Sequence, residues 1–180
     1  MIKAFPSATI LISSSFKGFP KLMEELDRWQ LSRDHLVWLP PVCNISIGET
    51  SLHVVCPSIG TAENDNDGSM FVRVNEAGAT AVFSGDAPSF VEDHMLIYGK
   101  WTSDLLHVGH HGSRTSTGMG WLRAVRPTVA VISCGLDNPY GHPNRETLQR
   151  LSDNGIPVER TDRQGDLEFI PRDGHYVPKG

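Results

Sequence analysis

The 180-residue sequence predicts one layered α/β domain built on a mixed β-sheet. Two observations lead to this prediction. The first half of the chain consists mostly of short apolar or alternating runs separated by turn residues, a pattern typical of strands and hairpins. The second half alternates such runs with amphipathic stretches, a pattern typical of strands connected by helices. No internal repeat, low-complexity tract or linker interrupts the sequence, so we expect residues 1–180 to form a single domain.

The first half begins with two predicted strands and a helix between them. Apolar runs indicate the strands, and apolar residues spaced i, i+4, i+7 indicate the helix. The predicted ranges are 8–12 (strand), 19–29 (helix) and 36–40 (strand). Two antiparallel hairpins follow, with predicted strands at 45–47, 52–56, 70–74 and 80–83. The polar stretch 62–69 between the hairpins is predicted to be a loop.

The second half repeats one plan: a strand, a polar residue just beyond its end, and then the start of a helix. The predicted strand 80–83 is followed by Asp86, and the predicted strand 105–108 is followed by His110 and His111. The predicted strand 128–134 is followed by His142. The helices are predicted after Pro88, from about Ser113, and from His142-Pro143. Strands at 158–160 and 167–170, around a turn at 162–165, are expected to complete the fold.

The polar residues at these strand ends form a candidate metal site. Carboxylate and neutral imidazole ligands suit Zn²⁺, and also Mn²⁺ or Fe²⁺. A metal bound there would convert water to hydroxide, and a bridging carboxylate can hold two metals for phosphoester hydrolysis. The candidate metal ligands are Asp86, His110 and His111, and the candidate catalytic residue is His142. The hydroxyl residues Ser113, Thr115 and Ser116, at the predicted helix start, would suit a phosphate oxygen of the substrate.

Each of these residues also has a purely structural interpretation. Asp86 can cap the helix that follows it, and the hydroxyl residues after Gly112 can cap the next helix. Adjacent histidines can be one packed and one exposed side chain. The joint placement on strand ends, where open α/β sheets bind their ligands, favours a site. His107 alternates with the pair along its strand and is expected to pack.

Composition excludes several other classes of protein. A net charge of −5 argues against a nucleic-acid binder that works by bulk charge, although an enzyme can still contact a few phosphates. The sequence contains no apolar run of about 18 residues, so no transmembrane helix is predicted. The N-terminus lacks the pattern of a secretory signal. The unpaired spacing of Cys43, Cys56 and Cys134 predicts free thiols.

Five stretches of the sequence resemble the metallo-β-lactamase-like domain of ComEC-type DNA-uptake (competence) proteins. They span residues 66–74, 82–86, 107–113, 140–143 and 158–162, including Phe-Ser-Gly-Asp, Gly-His-His-Gly-Ser and Tyr-Gly-His-Pro. Their order and spacing agree with that family from about residue 5 to residue 171.

The resemblance implies an αββα sandwich hydrolase that holds one or two zinc or manganese ions. It implies that Asp86 bridges the metals, that one histidine of the His110–His111 pair is a ligand, and that His142 contacts the substrate phosphate. We favour His111 as the ligand, with His110 supporting it from outside the ligand shell. The implied substrate is DNA, with one strand degraded during uptake. The implied location is the outer side of the cytoplasmic membrane.

One motif of that fold is absent from the sequence. Metallo-β-lactamase folds take most metal ligands from His-x-His-x-Asp-His, and no His-x-His occurs here. We therefore expect an N-terminally truncated domain with two ligands at most, Asp86 and His111, and weak metal binding. An uncovered sheet edge would pair with the missing N-terminal part or with another chain. Two alternatives stay open: a related hydrolase for another substrate, and a non-catalytic module that binds a partner.

Overall fold

The computed structural model describes residues 7–16, 20–29, 33–57 and 65–179. The strands are β1 (Ile10–Ser13), β2 (Leu36–Leu39), β3 (Val42–Ile47), β4 (Thr50–Val55), β5 (Phe71–Glu76), β6 (Ala79–Phe83), β7 (Leu105–His107), β8 (Val129–Ile132), β9 (Val158–Arg160), β10 (Phe169–Arg172) and β11 (His175–Pro178). The helices are α1 (Pro20–Arg28), α2 (Ser89–Met95), α3 (Met119–Val125), α4 (Arg145–Asp153) and α5 (Thr161–Gln164). Among these residues, no helix is long and apolar enough to cross a bilayer.

The main sheet has seven strands, β3 to β9, which lie side by side in chain order. Strands β3 to β6 pair antiparallel as hairpins, whereas β6 to β9 pair parallel. The register places Ala81 opposite Leu105, and Leu105 opposite Val129. Because parallel strands all point the same way, the carboxyl ends of β6, β7 and β8 meet at one edge of the sheet.

Helices α2, α3 and α4 cover one face of this sheet and enclose the main core. The aromatic centre of the core is formed by Phe71, Trp101 and Trp121, all of them buried. The Trp121 ring lies 5.3 Å from the Phe71 ring and 5.2 Å from the Trp101 ring. The predicted fold class is therefore confirmed: an α/β fold whose mixed sheet is flanked by helices, consistent with a sandwich.

The opposite face of the sheet is covered more thinly. Ala81, Leu105 and Val131 pack there beneath the β10–β11 hairpin. A second cluster, around Leu39 and Val54, continues this apolar face towards the β3 edge. Strands β1 and β2 form a separate parallel pair. All three cysteines are free thiols, as the sequence predicts.

Three features of the second half differ most from the prediction. The helix expected from about Ser113 begins at Met119, because residues 113–118 form a loop that bonds to other parts of the chain. The expected turn at 162–165 contains helix α5, and strand β11 follows the last predicted strand. Residue 19 of the first predicted helix and residues 62–64 of the predicted loop lie outside the described residues.

Replacing Trp121 by alanine tests the importance of the aromatic core. The side chain is fully buried, so we expect Trp121→Ala to lower the free energy of unfolding by about 3–5 kcal/mol. Ile97 is 73% exposed and serves as a control, because Ile97→Ala should change stability by only about 0.5 kcal/mol or less. Urea denaturation of both variants measures the difference. Similar losses for the two would contradict this account of the core.

Candidate functional site

The site lies at the sheet edge where β6, β7 and β8 end. Asp86 follows β6, the turn Gly109–Gly112 follows β7, and Ser133 follows β8. His111 Nε2 lies 3.9 Å from Asp86 Oδ1, and both side chains are about half exposed. The structure thus brings together the carboxylate and the imidazole that the sequence singles out as metal ligands. Their binding of a metal stays a prediction.

The ring of His111 is oriented by the end of β8. Its Nδ1 lies 2.8 Å from the carbonyl oxygen of Ser133. A carbonyl oxygen can only accept a hydrogen bond, so Nδ1 carries the proton and donates it. In neutral His111 the lone pair is then on Nε2, which faces Asp86. Metal-binding histidines are commonly held in this way by a hydrogen bond from their other nitrogen.

The histidine pair has an unusual backbone. His110 (φ 50°, ψ 45°) and His111 (φ 54°, ψ 23°) both adopt the left-handed conformation. This conformation costs roughly 1–2 kcal/mol for each residue that has a side chain. Hydrogen bonds hold the turn: His110 N–H donates to the Gly85 carbonyl at 2.9 Å, and Ser113 N–H donates to the His110 carbonyl at 2.9 Å. Strained backbone maintained by surrounding bonds is characteristic of functional sites.

His142 lies beside the histidine pair, on the loop between β8 and α4. Its ring lies 5.7 Å from that of His110 in a T-shaped arrangement. Burial, together with the neighbouring His110 and His111, lowers the pKa of His142, and Asp86 acts in the opposite direction. His142 is therefore mostly neutral at neutral pH. The three strand-end units consequently share one site.

His107 lies closer to this site than the sequence indicates. Its half-buried ring stacks on Phe83 with 5.5 Å between ring centres, so it does pack as expected. Burial lowers the pKa of His107, His111 lowers it further, and Asp86 opposes both effects. His107 thus lies within electrostatic reach of the Asp86–His111 pair, on the thinly covered face of the sheet.

Glu92 is a buried carboxylate that sequence reasoning missed. It accepts hydrogen bonds from the backbone N–H groups of Thr117 at 2.9 Å and Gly118 at 2.8 Å. Burial raises the pKa of Glu92 to about 7, although these hydrogen bonds favour its ionised form. Arg150 of α4 binds the same loop, because it donates hydrogen bonds to the carbonyls of Ser116 at 2.8 Å and Thr117 at 2.7 Å. The two side chains clamp the loop that follows the histidine turn.

The predicted phosphate-binding hydroxyls belong to this clamped loop. Ser116 is buried and donates to the Ala87 carbonyl at 2.7 Å. Ser113 is buried as well, and its Oγ lies 3.0 Å from Oγ1 of the exposed Thr115. Backbone N–H groups of the loop are already bonded within the chain, including that of Arg114 to Asn144. The helix start that motivated the prediction is displaced to Met119, and contact of the three hydroxyls with substrate stays a prediction.

The metal-binding capacity of the site can be judged from its donors. Oxygen from Asp86 and nitrogen from His111 are suitable ligands for zinc or manganese. Within the described ranges, however, no group of three or more His, Cys, Asp or Glu side chains is placed to hold an ion. The pair would therefore supply two ligands at most, whereas catalytic zinc sites usually have three protein ligands and water.

The fold and the site together define an α/β domain that presents a carboxylate and histidines at the carboxyl edge of its sheet. No protein-family model matches the chain. It is 31% identical over 157 residues to ComE operon protein 3 of Bacillus subtilis, an alignment that covers 85% of this chain and 20% of that protein.

Two further relatives match shorter stretches of the chain at higher identity. Competence protein ComA of Neisseria gonorrhoeae is 38% identical over 59% of the chain and 16% of that protein. Recombination protein 2 of Haemophilus influenzae is 35% identical over 63% of the chain and 14% of that protein. The chain belongs to the ComEC-type competence family, and it spans a fifth or less of the length of these relatives.

A glycine allows the His142 loop to approach the histidine turn. Gly112 has φ +86°, and a Cβ there would lie 2.6 Å from Pro143 Cβ and 3.0 Å from Pro143 Cα. We expect Gly112→Ala to destabilise the fold through both the backbone conformation and this collision. Gly155 (φ +67°) is the matched control, because its Cβ would have open space around it.

The two alanine variants separate the two costs. Gly155→Ala should cost about 1 kcal/mol from the left-handed backbone alone, and Gly112→Ala should cost at least about 1 kcal/mol more. Thermal and urea unfolding measure both values. Equal costs at the two positions would show that the approach of Pro143 does not constrain Gly112.

The raised pKa of Glu92 predicts a pH-dependent contribution to stability. The folded protein binds this proton more tightly than the unfolded chain, where glutamate titrates near about 4.3. The contribution is complete below that pH and is lost as pH rises through about 7. Its size is on the order of 3 kcal/mol, since each pKa unit corresponds to about 1.4 kcal/mol.

A glutamine side chain cannot ionise, so Glu92→Gln should remove this pH-dependent contribution to the free energy of unfolding. The difference in unfolding free energy between wild type and variant should therefore change steadily from pH 5 to pH 7, with wild type losing stability relative to the variant. Urea titrations at several pH values measure this difference. The contributions of other titrating groups cancel in it, because wild type and variant share those groups. A constant difference across that range would show that Glu92 does not titrate there.

Proposed function

We propose that the chain is part of a metal-dependent hydrolase that cleaves phosphodiester bonds of DNA during DNA uptake. The observation that supports this most directly is the pairing of His111 Nε2 with Asp86 Oδ1 at 3.9 Å. The fixed tautomer of His111 adds support, because it directs an unprotonated nitrogen towards the carboxylate. Membership of the competence family is consistent with a nucleic-acid substrate.

Asp86 and His111 would hold zinc or manganese in this proposal. The ion, when bound, supplies Lewis-acid catalysis and an activated water. The neutral imidazole of His142 would form a hydrogen bond to a phosphodiester oxygen and so orient the substrate. The exposed hydroxyl of Thr115 would bind a second phosphate oxygen, with Ser113 as its partner.

The described residues supply an incomplete set of metal ligands. Two protein ligands bind a divalent ion weakly compared with the three or four that zinc sites use. We propose that further ligands come from a segment outside the described residues or from a second chain. Metal affinity and activity of the isolated 180-residue chain should therefore be low.

A non-catalytic role is the second candidate, and one observation favours it. The thinly covered sheet face contains a cavity of about 280 Å³ lined largely by apolar side chains, including those of Val74, Phe83 and Leu105. Phe83 is 38% exposed there. A partner-binding module would use such a face and would not need Asp86 or His111.

Metal titration of Asp86→Ala tests the proposed hydrolase. We expect wild type to bind Mn²⁺ or Zn²⁺ weakly but measurably in calorimetric titrations at high metal concentration, and the variant to bind at least about tenfold more weakly. Metal-dependent hydrolysis of bis(p-nitrophenyl) phosphate, a phosphodiester without bases, should be lost as well. Asp93→Ala is the control, because Asp93 is exposed on α2 and should not affect either measurement.

Two outcomes contradict the proposal. A wild-type chain that binds neither metal even at high metal concentration favours the partner-binding module. Hydrolysis that continues unchanged in Asp86→Ala shows that the activity arises elsewhere. Circular dichroism of the variant establishes that it remains folded, which the half-exposed position of Asp86 predicts.

A further inference from the structure

A large aromatic side chain is exposed beside the candidate site. Tyr140, in the loop between β8 and α4, is 78% exposed. Its ring is stacked on that of His142, with 5.9 Å between ring centres and 29° between ring planes. Tyr140 therefore extends a stack of rings from the site into solvent, and its high exposure leaves the face away from His142 able to accept another ring.

A cleft lies between this stack of rings and the metal-ligand pair. It has a volume of about 180 Å³ and is lined by His111, Cys134, Gly135, Asn138, Tyr140 and His142. Pockets for drug-sized ligands have roughly 300–1,000 Å³, so this cleft suits a smaller group such as a single planar ring system. His111 forms part of the lining, so a group in the cleft would be next to the proposed reaction centre.

The loop that carries Tyr140 is held in place by hydrogen bonds. The Asn138 side chain donates to the carbonyls of Gly135 at 2.9 Å and His142 at 2.6 Å, and it accepts from His142 N–H at 3.0 Å. Asn144 N–H donates to the Gly112 carbonyl at 2.9 Å, which ties the loop to the histidine turn. The backbone that carries Tyr140 is thus held at the histidine turn, so stacking on Tyr140 would require little additional ordering of the loop.

We propose that Tyr140, supported by His142, is a stacking surface for one nucleobase of a single-stranded DNA substrate at this site. This inference rests on the proposed function. A planar base would stack on the tyrosine and occupy the cleft, while the adjacent phosphodiester lies towards Asp86 and His111. Because every base has an aromatic face, the contact tolerates any sequence, as a degrading enzyme requires.

The net charge of the protein limits the contribution that phosphate contacts can make to strand binding. Most affinity for nucleic acids normally comes from cationic side chains that neutralise phosphates. This chain has 16 Lys and Arg residues against 21 Asp and Glu residues, a net charge of −5. Bulk charge therefore contributes little, so stacking accounts for a larger share of strand binding than in a basic protein.

The test compares two strands that differ only in their bases. One is a fluorescent thymidine octamer, and the other is an octamer of the same backbone with abasic sites throughout. Binding of the wild-type chain, Tyr140→Ala, Tyr140→Phe and Tyr140→Trp is followed by fluorescence anisotropy at low salt. Phe90→Ala is the matched control, since Phe90 is 59% exposed on α2, outside the site.

We expect Tyr140→Ala to weaken binding of the thymidine octamer about tenfold, in line with one lost base–aromatic stack. Tyr140→Phe, Tyr140→Trp and Phe90→Ala should bind like wild type. The abasic strand should bind weakly and equally to all five proteins. A loss of affinity confined to the strand with bases is the signature that a merely structural role of Tyr140 would not produce.

Three outcomes overturn the inference: unchanged octamer binding by Tyr140→Ala, equal losses for both strands, and no octamer binding by the wild-type chain. None of these tests the hydrolase itself, which is examined with metal titration and a phosphodiester that has no bases. Hydrolysis of that compound with no effect of Tyr140→Ala on octamer binding would reject only the stacking surface. Tyrosine-dependent binding without metal binding would reject only the hydrolase.

Discussion

The close packing around Gly109 is the constraint on which the site depends. A Cβ at this position would lie 3.0 Å from Ser84 Oγ, 3.2 Å from Ser116 Cβ and 3.3 Å from Glu92 Oε1. The end of β7 is therefore packed tightly between the end of β6 and the clamped loop, so that a side chain at Gly109 would require these neighbours to shift. Gly109 N–H also donates to Thr117 Oγ1 at 3.0 Å. Because the backbone is fixed immediately before His110, the two histidines that follow have few alternative positions.

This constraint explains how the strained turn is maintained. Two consecutive left-handed residues would revert to a relaxed conformation in a free loop, since each costs roughly 1–2 kcal/mol. Here Glu92 and Arg150 bond to successive peptide groups of the following loop, so relaxation would break buried polar contacts. Losing the partner of a buried polar group costs about 1–3 kcal/mol, which is comparable with the strain. The conformation of the histidine pair is thus a property of the packed loop more than of the histidines.

The sequence predicted the sheet and the meeting of the strand-end residues well, because both follow from local periodicity and from the common direction of parallel strands. The start of α3 was misplaced, since the hydroxyls of Ser116 and Thr117 bond to distant backbone groups instead of capping a helix. Strand β11 was overlooked although Asp173-Gly174 is a strong hairpin signal. The role of Glu92 could not be predicted, because its partners lie 25 and 26 residues away and no periodic pattern marks them.

The two faces of the sheet differ in a way that separates stability from binding. The helix-covered face holds the fully buried aromatic side chains, so most of the apolar burial that stabilises the fold lies there. Asp86 and His111 are about half exposed at the sheet edge, and their side chains contribute little to this core. Substitutions of exposed side chains usually change stability by no more than about 0.5 kcal/mol. The exposed residues of the candidate site can therefore vary while the fold persists, provided that the glycine and the buried clamp beneath the histidines remain.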